Sequence, residues 1–145
     1  MTFCEGSRLE TIGKECFGSS GLGEFAAPRS LRTICQMAFS GCNNLRDVSL
    51  NEGLDTLGER CFGSSGIQKI LIPGSVRTVG KDAFDQCHSL RKVVFQKDSL
   101  LEGLGNNAFV SFSSLIIYIE PGMEFKIEES LKNVPIVRVP RDDTA

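Results

Sequence analysis

Phenylalanine recurs along this chain at a nearly constant spacing, and that spacing restricts the fold more than any other feature. The recurring residues are Phe17, Phe39, Phe62, Phe84 and Phe109, at intervals of 22, 23, 22 and 25 residues. Aliphatic residues precede each of them by five and by eight positions. A fixed period of this size is typical of a solenoid, in which short coils stack and bury a continuous core. Such chains usually act by presenting a surface rather than by enclosing a reaction site.

Each coil contains one stretch with the composition of a β-strand. In the fourth coil, Leu90–Phe95 is rich in β-branched and aromatic residues and follows a polar loop. The corresponding stretches begin at Leu22, Leu45, Ile67 and Leu115. The segment before each phenylalanine, such as Lys81–Phe84, is too short for helix propensity alone to hold it. The predicted fold is a solenoid of about five coils, with a parallel β-sheet on one face and short helical or irregular turns on the other.

The repeat pattern ends near the C-terminus. We expect a solenoid over residues 1–122 and a cap with a polar tail over residues 123–145. Within the cap, the sequence predicts a helical turn near Glu128–Leu131 and a last strand near Ile136–Val139.

The chain starts in the middle of the pattern. Phe3 stands as far before Phe17 as Phe25 stands before Phe39, so Thr2–Cys4 resembles the tail of an earlier strand. A solenoid needs polar caps to be soluble, and none is visible at this end. The interpretations left open are a fragment, a truncated gene product, or end-to-end self-association at the uncapped N-terminus.

Alternate coils differ in one respect. The string CysPheGlySerSerGly occurs at Cys16–Gly21 and again at Cys61–Gly66, whereas the even coils carry Cys42 and Cys87 three residues after their phenylalanines. The repeating unit is therefore interpreted as a pair of coils 45 residues long.

The six cysteines follow the repeat, which favours reduced thiols over disulfides. Cys16 and Cys61 occupy a position that is alanine in the other coils, so a small buried apolar group is expected there. Like cysteines stand two coils apart, roughly 10 Å at the strand spacing, which is too far for a disulfide. A pair between different columns, such as Cys42 with Cys61, stays open. No CxxC spacing occurs, so we expect no metal site.

Composition excludes several function classes. A net charge of −2 gives no general attraction to nucleic acid, and no apolar run is long enough for membrane insertion. His88, the only histidine, lies in a polar loop, and no catalytic set, phosphate-binding loop or cofactor motif appears. We therefore expect a chain that is not an enzyme and has no cofactor. The absent signal pattern and the expected free thiols favour the cytoplasm.

The outward positions of the predicted strands are the candidate binding surface. Residues two and four after each leading aliphatic should point away from the core. The candidates for binding a protein or peptide partner are Glu24, Asp47, Lys69, Leu71, Lys92 and Val94, with Ala26 and Ser49 at matching positions. Charge along this series runs from acidic to basic, which could orient a partner. The alternative is a solvated surface with a chance order of charges.

The repeat pattern resembles the BspA-like leucine-rich repeats. The match is best over SerValArgThrValGlyLysAspAlaPheAspGlnCysHisSerLeu (75–90) and LeuIleProGlySerVal (71–76), and it extends from about Leu9 to Gly122. The chain departs from the pattern at Cys35, where the turn glycine is expected, and at Asp98–Leu101. The resemblance implies a leucine-rich-repeat solenoid that binds partners, in proteins often found at cell surfaces and linked to adhesion. The structural alternative is a spacer segment of a longer repeat protein with no ligand of its own.

Overall fold

The computed structural model describes residues 1–109, 114–121, 123 and 135–138. It is a parallel β-solenoid of about five turns, which confirms the predicted fold class, and the described residues contain no helix. The strands are β1 Thr11–Ile12, β2 Glu24–Ala26, β3 Thr33–Ile34, β4 Asp47–Ser49, β5 Thr56–Leu57, β6 Lys69–Ile72, β7 Thr78–Val79, β8 Lys92–Phe95, β9 Gly103–Leu104, β10 Ile116–Ile119 and β11 Ile136–Arg138.

The longer strands form the front of the solenoid. They divide into a two-stranded sheet, β2-β4, and a four-stranded sheet in the order β6-β8-β10-β11. All pairs are parallel and in register, so Glu24 lies beside Asp47, and Lys69 lies beside Lys92. These strands are shorter than the sequence predicted, because the leading aliphatic residues enter the core before the ladder begins.

A second sheet covers the rear, where only turns were expected. It consists of five two-residue strands in the order β1-β3-β5-β7-β9. In the first four, threonine points outward and the following aliphatic residue lies in the core. A two-residue strand has no periodicity of its own, and only its pairing with neighbouring coils makes it a strand.

The third side of each coil consists of irregular turns, so of the two predicted alternatives, helical or irregular, the structure has the irregular one. The residue two before each repeat phenylalanine has a left-handed backbone, as in Arg60 (φ 50°) and Asp82 (φ 54°). A left-handed residue interrupts a right-handed helix. Alternate amides instead donate to carbonyls of the next coil, as Phe62 N–H does to Ala83 O at 2.9 Å. Hydrogen bonds between coils thus replace those within a helix.

The phenylalanine column is a continuous stack of rings. Neighbouring centroids lie 5.3, 5.2, 5.5 and 5.0 Å apart from Phe17 to Phe109, with interplanar angles of at most 16°. The rings of the second to fifth coils are buried, whereas Phe17 in the first coil is partly exposed. Cys16 beside it is exposed, so the expectation of a buried group was wrong there and right at Cys61.

The paired-coil unit has a physical basis in hydrogen bonds between serine and cysteine. Ser65 Oγ lies 3.3 Å from Cys87 Sγ, and that thiol donates to the Phe62 carbonyl at 3.1 Å. Ser20 and Cys42 repeat the arrangement one unit earlier, at 3.4 Å. The GlySerSerGly string of an odd coil is therefore the partner of the cysteine in the following even coil.

The two ends agree only in part with the sequence predictions. The Met1 amino group donates to Glu24 O at 2.6 Å, and Ala26 N–H donates to Met1 O at 3.0 Å, so Met1 lies along the edge of β2. The Phe3 ring contacts Phe25 edge-on at 6.1 Å. At the other end, β11 matches the predicted last strand, and the turn expected near Glu128–Leu131 lies outside the described residues.

Candidate functional site

The outward side of β2, β4, β6, β8, β10 and β11 is called here the sheet face. Five of the six candidate residues are exposed on it, namely Glu24, Asp47, Lys69, Leu71 and Lys92, and Val94 is partly exposed. Parallel register places Glu24 beside Asp47 on the two-stranded sheet, and Lys69 beside Lys92 and Leu71 beside Val94 on the four-stranded sheet. Their role in binding stays a prediction.

Like charges stack on the sheet face. Glu24 is the direct cross-strand neighbour of Asp47, and Lys69 is the neighbour of Lys92. Like charges opposite one another destabilise a sheet. The acidic pair lies on the two-stranded sheet and the basic pair on the four-stranded sheet, so the change of sign coincides with the break between the two sheets.

The rear of the same solenoid shows the opposite arrangement. The residues just before the rear strands form a column that alternates in sign, and it consists of Glu10, Arg32, Asp55, Arg77 and Glu102. Backbone hydrogen bonds join each to the next, as Arg77 N–H to Asp55 O at 2.8 Å. Arg77 forms ion pairs with both neighbours, at 3.5 Å to Asp55 and 2.8 Å to Glu102. Charges of opposite sign are therefore neighbours in the rear column, with Arg77 paired to both of its neighbours. Charges of like sign are neighbours on the sheet face, where Glu24, among the described residues, pairs only with the Met1 amino group at 3.8 Å.

A groove on the sheet face collects positive charge. It has a volume of about 500 Å³ and is lined by Arg46, Lys69, Arg91 and Lys92, with Asp47 at one side. Within the part of the chain that the structure describes, none of these four cations forms an ion pair. This set of residues is called the basic groove below.

An apolar column lies beside the basic groove. Leu71 is 52% exposed, and it is followed in register by Val94, Tyr118 and then Val137, which is 38% exposed. Sequence reasoning missed the last two, because Ile116–Ile119 is apolar throughout and shows no alternation to separate inward from outward positions. Lys92 Nζ lies 4.8 Å from the Tyr118 ring centroid, a cation–π contact that joins the groove to the column.

The buried thiols and the histidine lie in different environments. Cys87 is buried and donates to the Phe62 carbonyl, whereas the adjacent His88 is exposed. Burial raises the pKa of both the Cys61 and the Cys87 thiol, which keeps them protonated at neutral pH. All six cysteines are free, so the open Cys42–Cys61 pairing does not form. Among the described residues there is no cluster of metal-ligating side chains and no helix able to cross a membrane.

Comparison with known proteins decides the family. The model of the BspA type leucine rich repeat region matches residues 10–134 in six copies. The chain belongs to this family. Membership points to a protein-interaction module in a fold that is typically non-enzymatic. No curated protein matches the chain.

Three solved structures share the fold of this BspA-type repeat chain. A leucine rich repeat protein of T. pallidum (TpLRR) is 24% identical with a TM-score of 0.70, and the match covers 95% of this chain and 67% of the TpLRR chain. The pneumococcal vaccine antigen PcpA is 19% identical with a TM-score of 0.66, and the match covers 80% of this chain and 37% of the PcpA chain. A leucine-rich repeat protein from Bacteroides ovatus is 19% identical with a TM-score of 0.63, and the match covers 90% of this chain and 46% of the Bacteroides ovatus chain. At these identities the similarity establishes the fold alone.

Proposed function

We propose that this chain is a non-enzymatic interaction module that binds a protein or peptide partner through the sheet face. The observation that carries the proposal is the contrast between the two charge columns. The rear column alternates in sign, with Arg77 ion-paired to both of its neighbours, whereas the sheet face holds like charges side by side. Local arrangements that cost stability are expected at functional sites, because function is what maintains them.

The apolar column gives this surface a source of affinity. Exposed Leu71 and the partly exposed Val94 and Tyr118 lie next to charged residues that are not paired with one another. An apolar strip flanked by charge is the composition of a binding surface, with the strip contributing affinity and the charges orientation. PcpA is described as a vaccine antigen, which supports proposing a surface-exposed setting for such a module.

The test is a comparison of captured proteins between two matched double variants. Leu71→Glu/Val94→Glu adds two carboxylates to the sheet face, and Thr11→Glu/Thr78→Glu adds two to the exposed rear threonines. Wild-type protein and the rear variant should capture the same proteins from extracts of the source cells and their surroundings, and the front variant should lose them. Equal capture by all three would contradict binding through this face and favour a spacer without a ligand. Circular dichroism melts confirm that both variants are folded.

A further inference from the structure

The basic groove indicates what kind of partner segment the sheet face accepts. Four cations line it against one carboxylate, in a chain whose overall charge is −2. Positive charge is therefore concentrated locally against the sign of the whole molecule. A local concentration of positive charge favours binding of a partner with negative charge.

The backbone fixes two of these cations side by side. Lys69 and Lys92 are direct partners in the β6-β8 ladder, so their α-carbons cannot separate without breaking the sheet. Cross-strand neighbours stand about 5 Å apart, close enough for one carboxylate to reach both ammonium groups. The Tyr118 ring under Lys92 limits its freedom further. A carboxylate placed between the two lysines would relieve their mutual repulsion.

Two arginines also line the basic groove, Arg46 just before β4 and Arg91 just before β8. Arg91 Nη1 donates to His88 O at 2.7 Å, which anchors one nitrogen and leaves the rest of the guanidinium for a ligand. Arg46 and Arg91 are exposed on either side of Gln68. A planar guanidinium binds carboxylates with two parallel hydrogen bonds, so this position suits a second acidic side chain.

Resting on the proposed function, we propose that the sheet face binds a carboxylate-rich protein segment, with its acidic side chains in the basic groove and an apolar side chain on Leu71 and Val94. The apolar column favours a peptide over a nucleic acid, because a phosphate backbone gains nothing from burying leucine and valine. Asp47 beside the groove, and Glu24 one strand further, would repel a long polyanion but not a short acidic segment ending at the lysines.

The experiment is a selection of random dodecapeptides displayed on phage, carried out on the immobilised full chain. Enriched peptides are then synthesised and titrated by fluorescence anisotropy. Four proteins are compared: wild type, Lys69→Gln/Lys92→Gln, Glu24→Gln/Asp47→Asn, and Leu71→Glu/Val94→Glu. The two charge variants remove equal numbers of like charges from the same face, so each controls for the other. A thymidine oligonucleotide and phosphatidylserine vesicles are titrated in parallel.

The expected result is enrichment of peptides that combine Asp or Glu with a large apolar residue. Their affinity should fall about tenfold or more when the lysines are neutralised, fall with added salt, and stay unchanged or rise when Glu24 and Asp47 are neutralised.

Three results would overturn the proposal, and they can be told apart. Neutral or basic peptides that still require Leu71 and Val94 would end the acidic-segment proposal while leaving the proposed function intact. Tighter lysine-dependent binding of the oligonucleotide or the vesicles would identify a different class of ligand. Peptides indifferent to every variant would contradict both the acidic segment and binding through the sheet face.

Discussion

Replacing Phe62 by alanine should remove the centre of the ring stack. Phe62 is fully buried, with rings 5.2 Å away on one side and 5.5 Å on the other. Truncating a buried phenylalanine typically costs about 3–5 kcal/mol, from lost transfer free energy and the cavity left behind. The backbones of Phe39 and Phe84 are hydrogen-bonded to the following coils, at 2.8 Å to Cys61 O and 2.9 Å to Ala108 O, so little collapse into the cavity is expected.

Phe17→Ala is the matched control for this prediction. Phe17 occupies the same position in the first coil, is partly exposed, and has one stacked neighbour, at 5.3 Å. Its truncation should cost about 1–2 kcal/mol, because less apolar surface returns to water. For a chain of this size, 1 kcal/mol lowers Tm by roughly 3 °C, so the difference of about 2.5 kcal/mol between the middles of the two ranges should make Phe62→Ala melt about 8 °C below Phe17→Ala.

The measurement is a thermal melt in reducing buffer with urea unfolding alongside, to establish whether the transition is two-state. Phe62→Leu, which keeps most of the volume, should fall between wild type and Phe62→Ala. Equal losses for Phe17→Ala and Phe62→Ala, or a harmless Phe62→Ala, would refute the ring stack as the core that holds the coils together.

Three further predictions concern a glycine between coils, the buried cysteines and the effect of pH on stability. A Cβ on Gly80 would lie 2.6 Å from Glu59 N, whereas one on Gly13 meets nothing within 4 Å, so Gly80→Ala should cost about 1–3 kcal/mol in urea unfolding and Gly13→Ala nearly nothing. Cys87→Ala leaves the buried Ser65 hydroxyl without its thiol partner and should cost about 1–3 kcal/mol, whereas Cys61→Ala should be nearly silent because alanine fills that position in three other coils. Burial raises the folded pKa of both thiols above their ordinary 9.0, so the stability they contribute is complete below pH 9 and falls above it, by about 1.4 kcal/mol per pH unit for the fully buried Cys61. Urea unfolding at pH 8 and pH 10 should show this fall, and Cys61→Ala should reduce it; equal stability at both pH values would contradict it.

The sequence predicted most of the buried positions correctly, because the same side chains pack against one another in each successive coil. Each coil must match its neighbours in size and polarity at the same positions, so the buried residues carry the period of the fold. Repeat positions that are only partly buried include Leu9 and Phe17 in the first coil, Val48 in β4 and Leu104 in β9.

The left-handed backbone positions could not be predicted in the same way. Positive φ usually favours glycine or asparagine, yet residues before the phenylalanines include Glu15, Met37 and Arg60. Their conformation is stabilised by hydrogen bonds to the next coil, which a local sequence window does not contain. The same reason explains the rear sheet, whose strands exist only through pairing.

The charges on the sheet face follow a different order from the charges on the rear, and that difference bears on function. Solvent accepts either sign of charge at an exposed position, so packing does not choose between lysine and glutamate there. The rear column nevertheless alternates in sign along all five coils, which shows that an order of charges favourable to stacking is accessible to this chain. On the front, Glu24–Asp47 and Lys69–Lys92 take the unfavourable order in the same fold. The proposed function accounts for this order, because a bound partner of opposite charge would remove the repulsion.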